Sequence, residues 1–421
     1  MGKTLSRRAL LGGAAGAVVA GAGACFLAGR CRQVAASMAP AGVFRRGAPT
    51  RELFDLWRQR GWVREARHYL VLGKNLQCKL CPNECLLEPD DRSHCRNKVH
   101  KEGKLYTLAY GNPCSVHVDP IEKKPLFHFL PGAHAFSLAT AGCNLRCLNC
   151  QNWEISQKTP EETKEVAGPE LRANPDRLRQ LGPEEVPRLS MFPEDVVRMA
   201  QATRSETIAY TYSEPIAYFE YVLDTARIAR QNGIKNLWIT NGFIQREPLL
   251  ELCQVVDGAN VNLKSFREEI YARLNQAKLA PVLATLRTLK ERGVWFEVTN
   301  LVVPTYTDDL GMIREMCGWL AKHLGPEQPL HLSRFHPQYQ LDHLPATPVE
   351  SLLRAREAAR AEGLKHVYIG NVRGVEGAET THCPGCGKAV VERTAFRVDS
   401  LHLSDGRCQF CGSRVAGVWR A

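Results

Sequence analysis

The chain has no long run of strongly apolar residues, no block of like charge and no repeat of solenoid length. A membrane-spanning helix needs about 20 strongly apolar residues. The one uncharged stretch, residues 9–29, is rich in Gly and Ala and only weakly hydrophobic, so it makes a poor permanent anchor. The missing charge block argues against nucleic acid as the partner behind the formal charge of +11. Solvation explains much of that charge, and an acidic electron donor is at least as good a partner as nucleic acid. Hydrophobic residues make up 44% and charged residues 24%, a balance that excludes a disordered or collagen-like chain. At 421 residues there is room for one large domain with small attachments.

Cysteine is plentiful and unevenly spread. Eleven of the sixteen fall into three tight groups, and Cys25, Cys31, Cys114, Cys253 and Cys317 stand alone. Tight groups in a large chain read as metal sites rather than as a disulfide framework.

Arg7-Arg8 precede the mild apolar stretch, the pattern of a twin-arginine export signal. Small residues at Ala22-Gly23-Ala24, or between Ala36 and Ala39, suit cleavage. Two alternatives stand beside it: an uncleaved tether, with membrane contact through this segment only, or a true start at Met38. The signal points to export or to tethering at the cytoplasmic membrane.

The expected organisation has four parts: a signal and linker over 1–45, a helix and four-cysteine module over 46–115, a barrel over 116–375, and a zinc-ribbon-like module over 376–421. Residues 50–65 read as helical, with Leu53, Leu56, Trp57 and Val63 as apolar candidates. Residues 110–130 read as a loop-rich lead-in. Strands are expected at 135–140, 207–212, 235–240, 259–263, 295–302, 330–333 and 366–369, with helices at 219–231, 282–292, 309–324 and 349–362 among them. Residues 158–189, rich in Pro, Glu and Arg, read as an insertion. Strand–helix alternation on this scale predicts an α/β fold with a parallel sheet, open or curled into a partial or full TIM-like barrel. In such barrels the chemistry sits at the C-terminal strand ends. Those ends fall at Thr140, Tyr212, Thr240, Leu263, Val302 and Ser333.

Directly after the first expected barrel strand comes Cys143-Asn-Leu-Arg-Cys147-Leu-Asn-Cys150. Three thiolates on one short loop can ligate three irons of a cubane cluster, and no fourth cysteine is close in sequence, which leaves one iron open. The C-terminal group, Cys383-Pro-Gly-Cys386-Gly and Cys408-Gln-Phe-Cys411-Gly, has the spacing of a tetrahedral zinc site with a structural role. The group Cys78, Cys81, Cys85 and Cys95 suits either zinc or an auxiliary iron–sulfur cluster.

The C-x3-C-x2-C motif in this position resembles the hallmark of the radical S-adenosylmethionine (SAM) superfamily. The flanking segments Asp119-Pro-Ile-Glu-Lys-Lys-Pro-Leu, His128-Phe-Leu-Pro-Gly and Gln151-Asn-Trp-Glu-Ile-Ser resemble the radical enzyme of the AmmeMemoRadiSam system, which is similar to pyruvate formate-lyase activating enzymes. The resemblance implies a radical SAM barrel and a 4Fe-4S cluster whose open iron is chelated by SAM. It further implies reductive cleavage of SAM to a 5′-deoxyadenosyl radical that takes hydrogen from a substrate. It also implies cofactor contacts at Tyr212, Ser213 and Glu214, where the family carries Gly-Gly-Glu, at Thr240 and Asn241, at Asn262 and Lys264, and at His336. The chain departs from the family at Asn149, Ile239 and Asn262, where an aromatic and two acids are usual. This chemistry is normally cytoplasmic and needs a low-potential electron donor such as flavodoxin or ferredoxin. The substrate is expected to be a protein or peptide; activation of a glycyl-radical enzyme and modification of a small molecule are alternatives. From another class, a non-catalytic iron–sulfur and zinc electron-transfer protein remains as a contrast.

Overall fold

A computed structural model describes residues 42–163 and 190–420. The signal-like segment and most of the expected insertion lie outside the described residues. Among the described residues no helix is long and apolar enough to cross a membrane.

The centre of the fold is an eight-stranded sheet whose strands follow chain order: β1 (Ser115–Pro120), β2 (His134–Ala139), β3 (Thr207–Tyr210), β4 (Lys235–Thr240), β5 (Gly258–Asn262), β6 (Trp295–Val302), β7 (Leu330–Arg334) and β8 (Val367–Gly370). Strands β2 to β8 are parallel, and β1 pairs antiparallel with β2. The β3 strand is buried at every position, as expected of a sheet covered on both faces. Strands β1 and β8 are the two sheet edges and do not pair with each other. The fold is therefore the open, partial TIM-like form of the expected α/β architecture.

Helix α1 (Arg51–Gln59) precedes the sheet. Helices α2 (Pro193–Ala202), α3 (Phe219–Gln231), α4 (Arg246–Leu252), α5 (Leu279–Glu291), α6 (Leu310–Leu324) and α7 (Val349–Ala361) alternate with its strands. Apolar positions three and four apart face the sheet. In α5, Val282, Leu286 and Leu289 are buried, the set whose spacing predicts the helix. Helix α6 starts where Asp309 caps it, its carboxylate accepting from Met312 N at 2.7 Å.

Two expectations need correction. The helix read over 50–65 stops at Gln59, because Gly61 turns the chain with φ +77° and residues 64–65 pair as strand with 106–107. Phe54 and Trp57 fill its buried side while Leu56 is exposed. The lead-in read as loop contains β1, which sits at the edge of the barrel sheet.

The four-cysteine segment forms small antiparallel sheets packed against the barrel. Lys98, on the strand Lys98–Lys101, makes a fully buried ion pair with Glu220 in the first turn of α3. Glu220 also accepts from Arg67 N at 2.8 Å.

The C-terminal module, built around strands Thr381–His382, Ala389–Thr394 and Arg397–Leu401, bridges the two free sheet edges. On the β1 side, Val418 N donates to His128 O and Leu130 N donates to Val418 O, both at 2.7 Å. Arg393, buried, donates to Phe127 O at 2.6 Å and to Thr381 Oγ1 at 3.0 Å. Thr381 Oγ1 in turn lies 2.8 Å from the hydroxyl of Tyr368 on β8. The His128–Gly132 segment, quoted above only for its resemblance, is thus where the C-terminal module docks.

Candidate active site

The loop after β2 carries Cys143, Cys147 and Cys150 into a cavity of about 620 Å³ at the C-terminal ends of the strands. Among the described residues no other cysteine lines it. Gly142 permits the sharp entry to this loop. It takes φ +92°, and a Cβ there would lie 2.4 Å from Cys95 O and 2.8 Å from Asn97 Oδ1. Only glycine suits both conditions. Gly142→Ala is expected to displace Cys143 and leave the protein with well under half of the wild-type cluster iron after anaerobic reconstitution, read by iron assay.

The rest of the loop is held by backbone. Arg146 N donates to Asn275 O at 3.0 Å and Leu148 N to Leu274 O at 2.9 Å. The sulfurs also receive donors: Leu145 N to Cys143 at 3.4 Å, and Asn275 Nδ2 to Cys147 at 3.1 Å. Burial, with Cys147 adding a smaller push, raises the Cys150 thiol to about 11, and Cys143 is pushed up for the same first reason, with Glu214 next. Such thiols stay protonated at neutral pH unless a metal takes the thiolate. Three cysteines that converge without a fourth fit a cubane with one open iron.

Seven of the eight expected cofactor contacts line the same cavity: Tyr212, Ser213, Glu214, Thr240, Asn241, Asn262 and Lys264. His336 does not. It is exposed, its ring nitrogen 3.4 Å from the main-chain oxygen of Asn371, which does line the cavity. The departures Asn149 and Ile239 also line the cavity.

Glu214 organises the segment beyond β4. Its carboxylate accepts from Thr240 Oγ1 at 2.7 Å, Asn241 N at 2.8 Å and Ile216 N at 3.2 Å. Burial nevertheless pushes its carboxyl up to about 7. With both oxygens engaged by the chain, Glu214 positions the Thr240-Asn241 backbone. Asn241 in turn donates to Asn144 Oδ1 at 2.8 Å, which ties this segment to the cysteine loop.

Tyr212 stands where the resemblance has glycine, and it keeps the glycine conformation, φ +64°. A non-glycine residue there is strained. What holds it is visible: its hydroxyl donates to Asp119, its ring meets His117 edge-on at 5.5 Å, and Lys124 Nζ sits 4.5 Å from the ring centroid. Lys124 donates to Asp119 at 2.6 Å and Lys123 donates to it at 2.8 Å. Burial alone would raise the Asp119 carboxyl, but these ammonium groups and the tyrosine hydroxyl hold it well below the usual range. Burial lowers Lys124 to about 8.

Several cavity residues carry no local sequence signal. His331, on β7, donates or accepts at 2.7 Å with Glu297, whose oxygens also accept from Phe127 N and His128 N. Glu379 and Phe396, from the C-terminal module, form part of the cavity wall. Burial pushes the Glu379 carboxyl up to about 7.

The C-terminal cysteines form a separate site. The sulfurs of Cys383, Cys386, Cys408 and Cys411 all lie within 4.8 Å of one another. Gly387 and Gly412, the residues after each knuckle, take φ +73° and +76°, the left-handed region that favours glycine.

Comparison with known proteins follows the same lines. The Radical SAM superfamily family model matches residues 137–317. An uncharacterised protein of Methanocaldococcus jannaschii is 43% identical over 356 residues, covering 84% of this chain and 99% of the relative. Pyruvate formate-lyase 1-activating enzyme of Escherichia coli is 25% identical over 168 residues, 37% of this chain and 68% of that protein. Among solved structures, Streptococcus suis SuiB bound to S-adenosylmethionine aligns over 60% of this chain and 53% of its own, at 12% identity and a TM-score of 0.41. The family and activating-enzyme matches set aside the non-catalytic alternative, and the family implies a 4Fe-4S cluster and SAM as cofactors. The chain is an enzyme that belongs to the radical SAM superfamily.

Proposed function

We propose that Cys143, Cys147 and Cys150 hold the 4Fe-4S cluster, and that the enzyme takes a hydrogen atom from a protein or peptide substrate. The observation that carries this reading is the convergence of three cysteines and seven strand-end residues on one cavity with no further cysteine in its wall. When bound, the cluster and SAM supply reductive cleavage of the sulfur–C5′ bond and hence the 5′-deoxyadenosyl radical. The chain's own residues do the positioning. Glu214 fixes the Thr240-Asn241 backbone, Tyr212 and Ser213 present polar atoms at the strand ends, and Asn262 ends the next strand with Lys264 just beyond it. Ser213 is itself locked, its hydroxyl donating to Thr140 O at 2.6 Å.

A protein substrate is favoured because a relative is named for activating pyruvate formate-lyase. Activation of a glycyl-radical enzyme is the second reading, on the same observation. The AmmeMemoRadiSam resemblance belongs to the proposal on the Asp119 and His128 segments. An acidic low-potential donor, of the flavodoxin or ferredoxin class, suits the net charge of +11.

The test pairs the anaerobically reconstituted enzyme, SAM and dithionite with deuterated candidate proteins. Deuterium in 5′-deoxyadenosine identifies the substrate. Absence of 5′-deoxyadenosine under every condition would overturn the catalytic assignment.

The C-terminal cysteines are proposed to hold structural zinc. Their tight sulfur spacing suits one tetrahedral ion. The module's own core is small, so metal replaces core burial. Cys386→Ala is expected to lose one zinc per chain and to lower thermal stability by several degrees. Metal analysis and a thermal melt check both.

A further inference from the structure

The four-cysteine module presents a different geometry from the C-terminal site. Cys78, Cys81, Cys85 and Cys95 are all buried, at 8% exposure or less. They converge: Cys78 N donates to Cys85 O at 3.0 Å, and His94 N, next to Cys95, donates to the Cys85 sulfur at 3.4 Å. The Cys95 sulfur meets Ser93 Oγ at 3.1 Å.

Sulfur spacing separates the metals. Zinc at about 2.3 Å from each of four sulfurs holds them roughly 3.8 Å apart. A cluster gives each thiolate its own iron or shares two irons among four, and spreads the sulfurs wider. Among the described residues, the C-terminal quartet is the only group of three or more metal-binding side chains whose ligand atoms all lie within 4.8 Å. Neither the radical-site trio, whose ligands are expected to hold different irons, nor the N-terminal quartet forms such a single-ion group.

Charge gives a second, independent observation. Arg96 and Arg146, both partly buried, set their guanidinium groups over the same Phe44 ring, 5.5 and 5.8 Å from its centroid. Among the described residues neither has a carboxylate ion pair, and Arg96 Nη1 is a buried donor without a partner. Arg146 instead donates to His94 O and to Cys143 O, one from each cysteine group. Arg96 directly follows Cys95, and Arg146 lies between Cys143 and Cys147 in the radical-site loop. The Glu162 carboxylate offsets part of the Arg96 charge, and two adjacent, partly buried cations with so little counter-charge are costly. Anionic clusters on either side supply that counter-charge.

The two cysteine groups also touch directly. Asn83 Nδ2, between Cys81 and Cys85, donates to Asn144 O at 2.8 Å, and Cys95 O packs against Gly142.

We propose that Cys78, Cys81, Cys85 and Cys95 hold a second iron–sulfur cluster, adjacent to the first, with Arg96 and Arg146 between them. Four protein thiolates leave no open iron, so this cluster does not bind SAM. Its chemistry is one-electron transfer. It accepts one electron from a reductant of the flavodoxin class and passes one to the radical-site cluster, so each SAM cleaved consumes one donor electron. The site itself does not depend on what the radical acts upon.

The test uses the full chain, purified without air, carrying Cys143→Ala, Cys147→Ala and Cys150→Ala together. Iron and acid-labile sulfide should remain in equal amounts, with an absorbance that bleaches on dithionite. In a second protein with the radical-site trio intact, Cys78→Ser with Cys81→Ser should cut iron to the four per chain of a single cubane. A triple variant without iron that binds two zinc ions per chain would overturn the proposal. So would an iron content unchanged by the second substitution pair.

Discussion

Cys147→Ala is expected to abolish SAM cleavage, a fall of at least about 1000-fold in 5′-deoxyadenosine formation. Two remaining thiolates cannot hold a cubane with one defined open iron. The loss should not come from unfolding. The loop is fixed by main-chain bonds from Arg146 and Leu148 to Asn275 and Leu274, which do not involve the Cys147 side chain. Only the Asn275 amide loses its contact to sulfur. A melting temperature near wild type for the cluster-free proteins, together with absent 5′-deoxyadenosine, checks the distinction. Residual cleavage near the wild-type rate would remove Cys147 from the cluster.

Lys98→Met carries the largest expected effect on stability. Lys98 and Glu220 are buried, with side-chain exposures of 0% and 4%. Removing one partner strands a buried charge, which costs about 3–5 kcal/mol. Glu220 cannot escape to solvent, because it also accepts from Arg67 N and sits in the first turn of α3. The double variant Lys98→Met with Glu220→Gln leaves no buried charge and keeps an acceptor for Arg67. It is expected to recover most of the loss. Urea denaturation of the three proteins checks the order. A single variant as stable as wild type would show that the pair does not bind the four-cysteine module to the barrel.

Much of the site is legible in the sequence because its signals are local. Cys143, Cys147 and Cys150 lie within eight residues, and the strand-end rule brings Ser213, Glu214, Thr240, Asn241, Asn262 and Lys264 to the same place. The pattern reports position well and role less well. Glu214 is a positioning carboxylate, and Tyr212 occupies a glycine conformation held by long-range contacts that include Asp119, His117 and Lys124. His336 shows the limit: its place after β7 is right for a barrel site, yet the side chain is exposed.

What sequence leaves hidden is long-range. Glu297 and His331 meet across β6 and β7, and Arg393 reaches Phe127 across 266 positions. No spacing rule connects such residues. Strand β1 escapes because it ends in Pro120 among turn-forming residues and alternates poorly, with His117 and Val118 both exposed. The C-terminal module reads as a separate metal clip, but its docking places Glu379 and Phe396 in the wall of the cavity.

The most direct test of the whole account is electron paramagnetic resonance of the anaerobically reduced enzyme, before and after SAM is added. A reduced cubane signal that changes when SAM is added, and that is missing in Cys143→Ala, is the result expected of a cluster with one iron open. A cubane signal indifferent to SAM, or one shown to have four cysteine ligands at the Cys143 site, would contradict it.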